Sequence, residues 1–232
     1  IGFVVGKWCV CIVRHKTRDI SGFVHGDDFV FVGLAADLLW LEAAMMSKLI
    51  MKVRGVVGAD SGDVKHITML NRLLTWVDHP DSTCSVELES DPRHVEILAK
   101  QFGLSKANSK SATTPCERIK EWTQDMLKPL NTARAHQYRS AAMRVNYIAP
   151  HRPDIQFGAK EPARFMSEPV EAAWLMLKRM VRYLIGASRL IQVFREQKRV
   201  EFLQVNSDSD FAGCKLTRKT LHQCTCGTEG IC

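Results

Sequence analysis

Three short runs rich in β-branched and aromatic residues open the chain: Trp8 to Val13, Ile20 to Val24 and Phe29 to Val32. Each is set off from the next by polar, turn-forming residues. That alternation predicts an antiparallel meander of three strands. Leu38, Leu41, Met45 and Leu49 then recur at helical spacing, so a helix over Leu34 to Lys52 should follow Gly33 and pack on the sheet. The Gly- and Asp-rich stretch from Gly55 to Asp63 reads as a loop. Lys65 to Val77 and Val86 to Leu88 read as strands around a turn at Asp78 to Asp81.

Asp91 stands where an N-cap is expected, with Pro92 at the first helical position. Val95, Leu98, Ala99 and Phe102 share one face of the helix this predicts, and Gly103 ends it. Ser105 to Pro115 has the Ser, Thr, Lys and Asn content of a flexible linker. Beyond it the pattern is mostly helical. His136 to Ile148 places Tyr138, Ala142, Val145 and Ile148 on one side, and the prolines at 150 and 153 break it. A short helix over Asp154 to Glu161 is limited by Pro162. From Pro169 to Ile185 the period is clearest. Val170, Ala173, Trp174, Leu177, Val181 and Leu184 point inward, Lys178, Arg179 and Arg182 point outward, and Gly186 ends the helix. Leu190 to Phe194 and Val200 to Val205 alternate like the two strands of a hairpin.

At 232 residues with 46% hydrophobic and 25% charged positions, the composition excludes a disordered or collagen-like chain. The apolar runs, interrupted at Gly33 and Asp37, fall short of the ~20 residues of a membrane span. No membrane is therefore expected as a partner. The chain begins at Ile1 without a charged start or a small-residue cleavage site, so it reads as a fragment or processed piece. Eight cysteines scattered without a secretory signal suit a reduced, intracellular protein. The cluster from Cys214 to Cys232 lacks the paired Cys-x-x-Cys knuckles of a zinc site.

Charge changes the picture more. The net charge is +7, and residues 134 to 219 hold 16 Lys and Arg against 8 Asp and Glu, leaving the rest of the chain nearly balanced. Such a surplus suits a polyanion or, equally, a solvated basic face. The chemistry-bearing candidates are acids. Asp27 and Asp28 follow His25-Gly26 between two apolar runs, where burial would call for a divalent cation and exposure for nothing more than a hairpin turn. Ser207-Asp208-Ser209-Asp210 at the end of a strand admits the same two readings. No glycine-rich phosphate loop is present.

These residues, taken in order, resemble the reverse transcriptase of copia-type retrotransposons. Phe23-Val24-His25-Gly26-Asp27-Asp28-Phe29 followed by Val32-Gly33 is similar to the Y-x-D-D hairpin that ends that family's polymerase palm. Tyr138-Arg139-Ser140, Tyr147 and Arg152-Pro153-Asp154-Ile155 match its Y-R-S, Y-L and R-P-D-I. Arg164-Phe165-Met166, Pro169, Trp174, Lys178-Arg179 and Arg182-Tyr183-Leu184 with Gly186 continue the order. Ser207 to Gly213 with Thr217-Arg218-Lys219 resembles the S-D-A-D-W-A-G and R-K stretch where RNase H begins.

The resemblance implies an α+β fold: a truncated palm over 1–60, a thumb-like region and linker over 61–115, a helical connection over 116–199, and a partial RNase H start with an atypical Cys-rich tail over 200–232. It implies RNA-directed DNA synthesis in the parent protein. Asp27 and Asp28 would be metal-binding catalytic acids using Mg²⁺, and Asp208 the first RNase H acid. His25, Lys178, Arg179 and Arg182 would lie against nucleic acid. Implied partners are an RNA template, a DNA primer, deoxynucleoside triphosphates and the remainder of the Pol polyprotein, in a cytoplasmic particle or the nucleus. His25 stands where the family has Tyr. The family's third palm acid lies upstream of the hairpin and is not supplied by residues 1–7, so the fragment is expected to be inactive alone. The alternative is a noncatalytic nucleic-acid-binding remnant.

Overall fold

Four short antiparallel strands and one helix make up the first of two units, Ile1–Arg54 and Gly55–Cys232, into which the chain divides. The structure is a computed structural model, and it describes residues 1–197 and the backbone of the strands Gln204–Ser209 and His222–Gly227. In the first unit β1 (Phe3–Val5), β2 (Ile12–His15), β3 (Ser21–His25) and β4 (Asp28–Val32) pair in chain order. The register sets Ile12 opposite Phe23, Gly22 opposite Phe31 and His25 opposite Asp28. Period-two alternation puts Phe3 and Phe31 on the face covered by α1 (Ala35–Met46), where Ile20, Leu41 and Met45 form the buried core. Gly22 has a packing reason. A Cβ there would lie 2.5 Å from the Phe31 ring.

This unit differs from the expected three-strand meander at its start. Gly6 N–H donates to Ile12 C=O (2.7 Å) and Ile12 N–H to Cys9 C=O (3.1 Å), which turns Trp8 to Cys11 into a loop and delays the strand to Ile12. Trp8 is 92% exposed. The added edge strand β1 is held by His15, a buried ring edge-on to Phe3 and Trp40. Its Nδ1 accepts from the backbone N–H of Arg18 (3.0 Å) and Thr17 (3.3 Å), which leaves the proton on Nε2 to donate to Ile1 C=O (2.9 Å). The helix stops at Met46 rather than Lys52. Ser47 Oγ turns back to Ala44 C=O (2.9 Å), and the apolar residues beyond it, Leu49 and Ile50, are exposed.

In the second unit β5 (His66–Met69), β6 (Arg72–Asp78), β7 (Cys84–Ser90) and β8 (Ile191–Arg195) form an antiparallel sheet in that order. The single strand expected over Lys65 to Val77 is cut by a two-residue turn, Leu70 and Asn71, both with positive φ (47° and 58°). α2 (Arg93–Gln101) is capped by Asp91 as the sequence indicates, its Oδ1 accepting from Arg93 N–H (2.9 Å). It closes in a Schellman turn: Gly103 has φ +63° and Leu104 N–H reaches Ala99 C=O (2.9 Å).

α3 (Thr132–Ile148), α4 (Gln156–Ala163) and α5 (Glu171–Gly186) supply most of the remaining core. Tyr138, Val145, Ile148, Leu177, Val181 and Leu184 are buried together there. α3 starts four residues before the expected His136 because Asn131 Oδ1 caps it, accepting from Arg134 N–H (2.9 Å). Trp174 is half-buried, tilted on Phe102 with ring centroids 4.7 Å apart and stacked under the Arg134 guanidinium at 4.7 Å.

The stretch 105–115, expected to be a flexible linker, is instead strapped along α5. Arg182 Nε donates to Lys110 C=O (2.8 Å), and Arg179 donates to Thr114 Oγ1 (2.9 Å). Of the two strands expected over Leu190 to Phe194 and Val200 to Val205, the first is present as β8. β8 pairs with β7 among the described residues, with Phe194 opposite Val86. Residues 198–203 lie outside the described residues. β9 (Gln204–Ser209) pairs with β10 (His222–Gly227), so Asp208 sits within a strand, opposite Gln223.

Candidate functional site

The Asp27-Asp28 pair sits at the β3–β4 turn. Gly26 (φ +61°) leads a two-residue hairpin turn, a conformation that costs an L side chain but not glycine. Asp27 is the exposed second turn residue, and Asp28 begins β4 directly opposite His25. By alternation His25, Phe23, Asp28 and Val30 lie on the sheet face away from the α1-covered core. The His25 ring is exposed and lies parallel to Phe23, 10° between planes at 6.2 Å.

Arg54 supplies the charge that the sequence did not reveal. Its guanidinium lies 3.5 Å from Asp28 Oδ1, with both side chains well exposed, so the pair contributes little to stability. It does offset one of the two carboxylates. Mg²⁺ takes about six oxygen ligands in octahedral order. Asp27 and Asp28 are the right donor type, yet among the described residues no group of three or more His, Cys, Asp or Glu side chains comes together. Two carboxylates, one of them facing an arginine, do not by themselves make a two-magnesium centre, and no step of nucleotidyl transfer follows from them alone.

The three cations of α5 are not equivalent. Lys178 is exposed, as the periodicity indicates. Arg179 is only 24% exposed and pairs with Glu117 (2.6 Å), and Arg182 holds Lys110 C=O. The shared open face expected for all three is therefore reduced to Lys178, because strap 110–117 covers the other two. Each phosphate that a cation no longer neutralises lowers the slope of log affinity against log salt by ~0.7 on a single strand. Replacing all three residues with alanine should therefore lower the slope for a single-stranded oligonucleotide by somewhat under one unit, where three open cations would lower it by about two. Filter-binding titrations across a salt series decide between these values.

Over 79 residues, 34% of this chain, the sequence is 34% identical to the retrovirus-related Pol polyprotein from transposon RE1 of Arabidopsis thaliana. Over 77 residues it is 31% identical to the corresponding polyprotein from transposon RE2. The chain is related to copia-type retrotransposon Pol polyproteins over about a third of its length. The matched part spans 5% of either polyprotein. The uncharacterized mitochondrial protein AtMg00810 of the same plant is 30% identical over 95 residues, which cover 36% of its length. No family model matches the chain, and no solved structure does. No helix among the described residues is long and apolar enough to cross a membrane.

Proposed function

We propose that the chain is a piece of the reverse transcriptase portion of a retrotransposon Pol polyprotein. Ile1–Arg54 would carry the hairpin that ends the polymerase palm, and the second unit the thumb, the connection and the start of RNase H. The observation that supports this best is the two-acid turn: Asp27 and Asp28 stand at a tight antiparallel hairpin in a chain related to Pol polyproteins. In the parent protein these carboxylates would share magnesium with an acid from another segment. Asp27 and Asp28 would position that magnesium, whose chemistry when bound is Lewis-acid assistance to RNA-templated nucleotidyl transfer from a deoxynucleoside triphosphate. This chain alone is then inactive in primer extension.

A second reading, a noncatalytic nucleic-acid-binding remnant, draws on the Arg54–Asp28 pair and on the basic surplus of residues 134 to 219. A chimera separates the two. Ile20 to Gly33 placed into the palm of an active reverse transcriptase of this family should leave Mg²⁺-dependent primer extension intact. Asp27→Asn or Asp28→Asn in the chimera should abolish it. Extension that survives Asp27→Asn sinks the palm assignment. A chimera inactive with both acids present, combined with salt-sensitive oligonucleotide binding by the original chain, establishes the remnant reading.

A further inference from the structure

Around the Leu70–Asn71 turn the second unit holds buried side-chain polar atoms that have no hydrogen-bond partner among the described residues. Arg72 begins β6 just past the turn and stands opposite Ser90 of β7. Arg72 Nε and Ser90 Oγ are both buried without a hydrogen-bond partner among the described residues. His151, in the short turn after α3, has its Nε2 equally buried and unpartnered. Burial first, and the Arg72 charge second, hold the His151 ring below the usual imidazole range.

A second pair, His94 of α2 and Arg144 of α3, is linked to the turn through Tyr147. Arg144 donates to His94 Nδ1 (3.0 Å), while Arg144 Nε is buried without a partner. Since Nδ1 accepts, the His94 proton sits on Nε2 as a further donor. Tyr147 joins the two pairs: its ring lies 5.0 Å from His94, and its hydroxyl reaches Leu70 C=O at 3.4 Å. The acids around the cluster are already engaged. Asp91, one turn before His94, is held by Arg93 (Nε to Oδ2, 2.7 Å), and Glu89 takes a two-pronged bond from Arg189 (2.7 Å on each oxygen).

Two guanidinium charges whose neighbouring carboxylates are engaged by other arginines lack a full counter-charge, and unpartnered buried donors oppose folding. A tetrahedral oxyanion answers both problems, because it brings negative charge and several acceptor oxygens, and arginine's planar fork suits phosphate geometry. We propose that the cluster of Arg72, Ser90, His94, Arg144 and His151 is a binding site for a phosphate oxyanion, either free phosphate or a phosphodiester of a nucleic-acid backbone. The site lies apart from the two-acid hairpin in the sequence and does not depend on the polymerase reading.

The test uses the whole chain, ¹⁵N-labelled, with the arginine Nε–H and histidine side-chain resonances followed during titration with sodium phosphate at fixed ionic strength. Saturable shifts of the Arg72 and Arg144 Nε–H signals are expected, tightening as pH falls toward 6 because phosphate would favour the charged imidazoles. The double variant Arg72→Gln, Arg144→Gln should weaken phosphate binding by at least about tenfold, since charge-assisted bonds to an anion are removed. If that variant does not fold, the wild-type titration alone still decides. An oligothymidylate that competes with phosphate for the same resonances assigns the site to a nucleic-acid backbone, and one that leaves them unmoved assigns it to free phosphate. No shift with phosphate, or an equal shift with sodium chloride, overturns the proposal.

Discussion

Asp154→Ala is expected to cost the second unit about 3–5 kcal/mol, because it strands a buried guanidinium. Arg152 is 3% exposed and gives Asp154 a two-pronged bond, Nε to Oδ1 (2.9 Å) and Nη2 to Oδ2 (2.6 Å). The same guanidinium reaches Ala187 C=O (2.8 Å) just past α5, and Tyr183 O–H donates to Asp154 Oδ2 (2.9 Å). Removing the carboxylate leaves the charge desolvated with only carbonyl partners. Tyr183→Phe removes one hydrogen bond and should cost only about 1 kcal/mol.

The pH dependence follows from the sign of the shift. Burial pushes the Asp154 carboxyl up, but the hydrogen bonds and charge of Arg152, with the Tyr183 hydroxyl, outweigh it and hold the carboxyl below its ordinary value. A folded-state value below the unfolded one means that the stabilisation is fully present above about pH 4 and fades as pH falls through the folded value. Urea melts of parent and Asp154→Ala should therefore converge in acid. A gap that stays constant from neutral pH down to about pH 3 would show that the ion pair is not its source.

Leu41→Ala is expected to unfold Ile1–Arg54 while leaving the second unit folded. Leu→Ala at a buried site costs about 2–5 kcal/mol, and a domain this small has only a few kcal/mol to lose. The fully buried apolar set of this unit is Ile20, Leu41 and Met45, so nothing else can take up the loss. Amide exchange should become fast at Phe23 and Val30, which pair across the hairpin that carries Asp27 and Asp28, and stay slow at Leu177 and Val181. Protection retained at Phe23 and Val30 would mean that the hairpin stands without α1.

Elements whose pattern is local were legible from the residues alone. The inward set of α5, the N-cap at Asp91, the stop at Gly103 and the β3–β4 turn all follow from spacing and turn chemistry, and the structure shows each. Elements decided by distant partners were not. The strap over Arg179 and Arg182 depends on Glu117 and Thr114 lying against a helix more than sixty residues later, and a Ser- and Thr-rich composition carries no trace of that. Leu70 at positive φ gave no signal, because leucine is a poor turn former and Asn71 alone marks the site. Of the candidate site, the two acids and His25 could be read, whereas Arg54 could not. Asp28 and Arg54 are brought together only by the fold of the first unit.

The pairing of β8 with β7 also bears on how the chain comes off the ribosome. Arg189, two residues before β8, reaches back 100 residues to Glu89 in β7. During synthesis β7 therefore has one open side until the chain has grown past Arg195, with α2 through α5 made in the interval. An open strand edge of alternating apolar residues is a template for pairing with another nascent chain, and long-range closure of this kind is slow. Chains arrested before Ile191 should accordingly aggregate through Cys84–Ser90, while chains released after Arg195 should not.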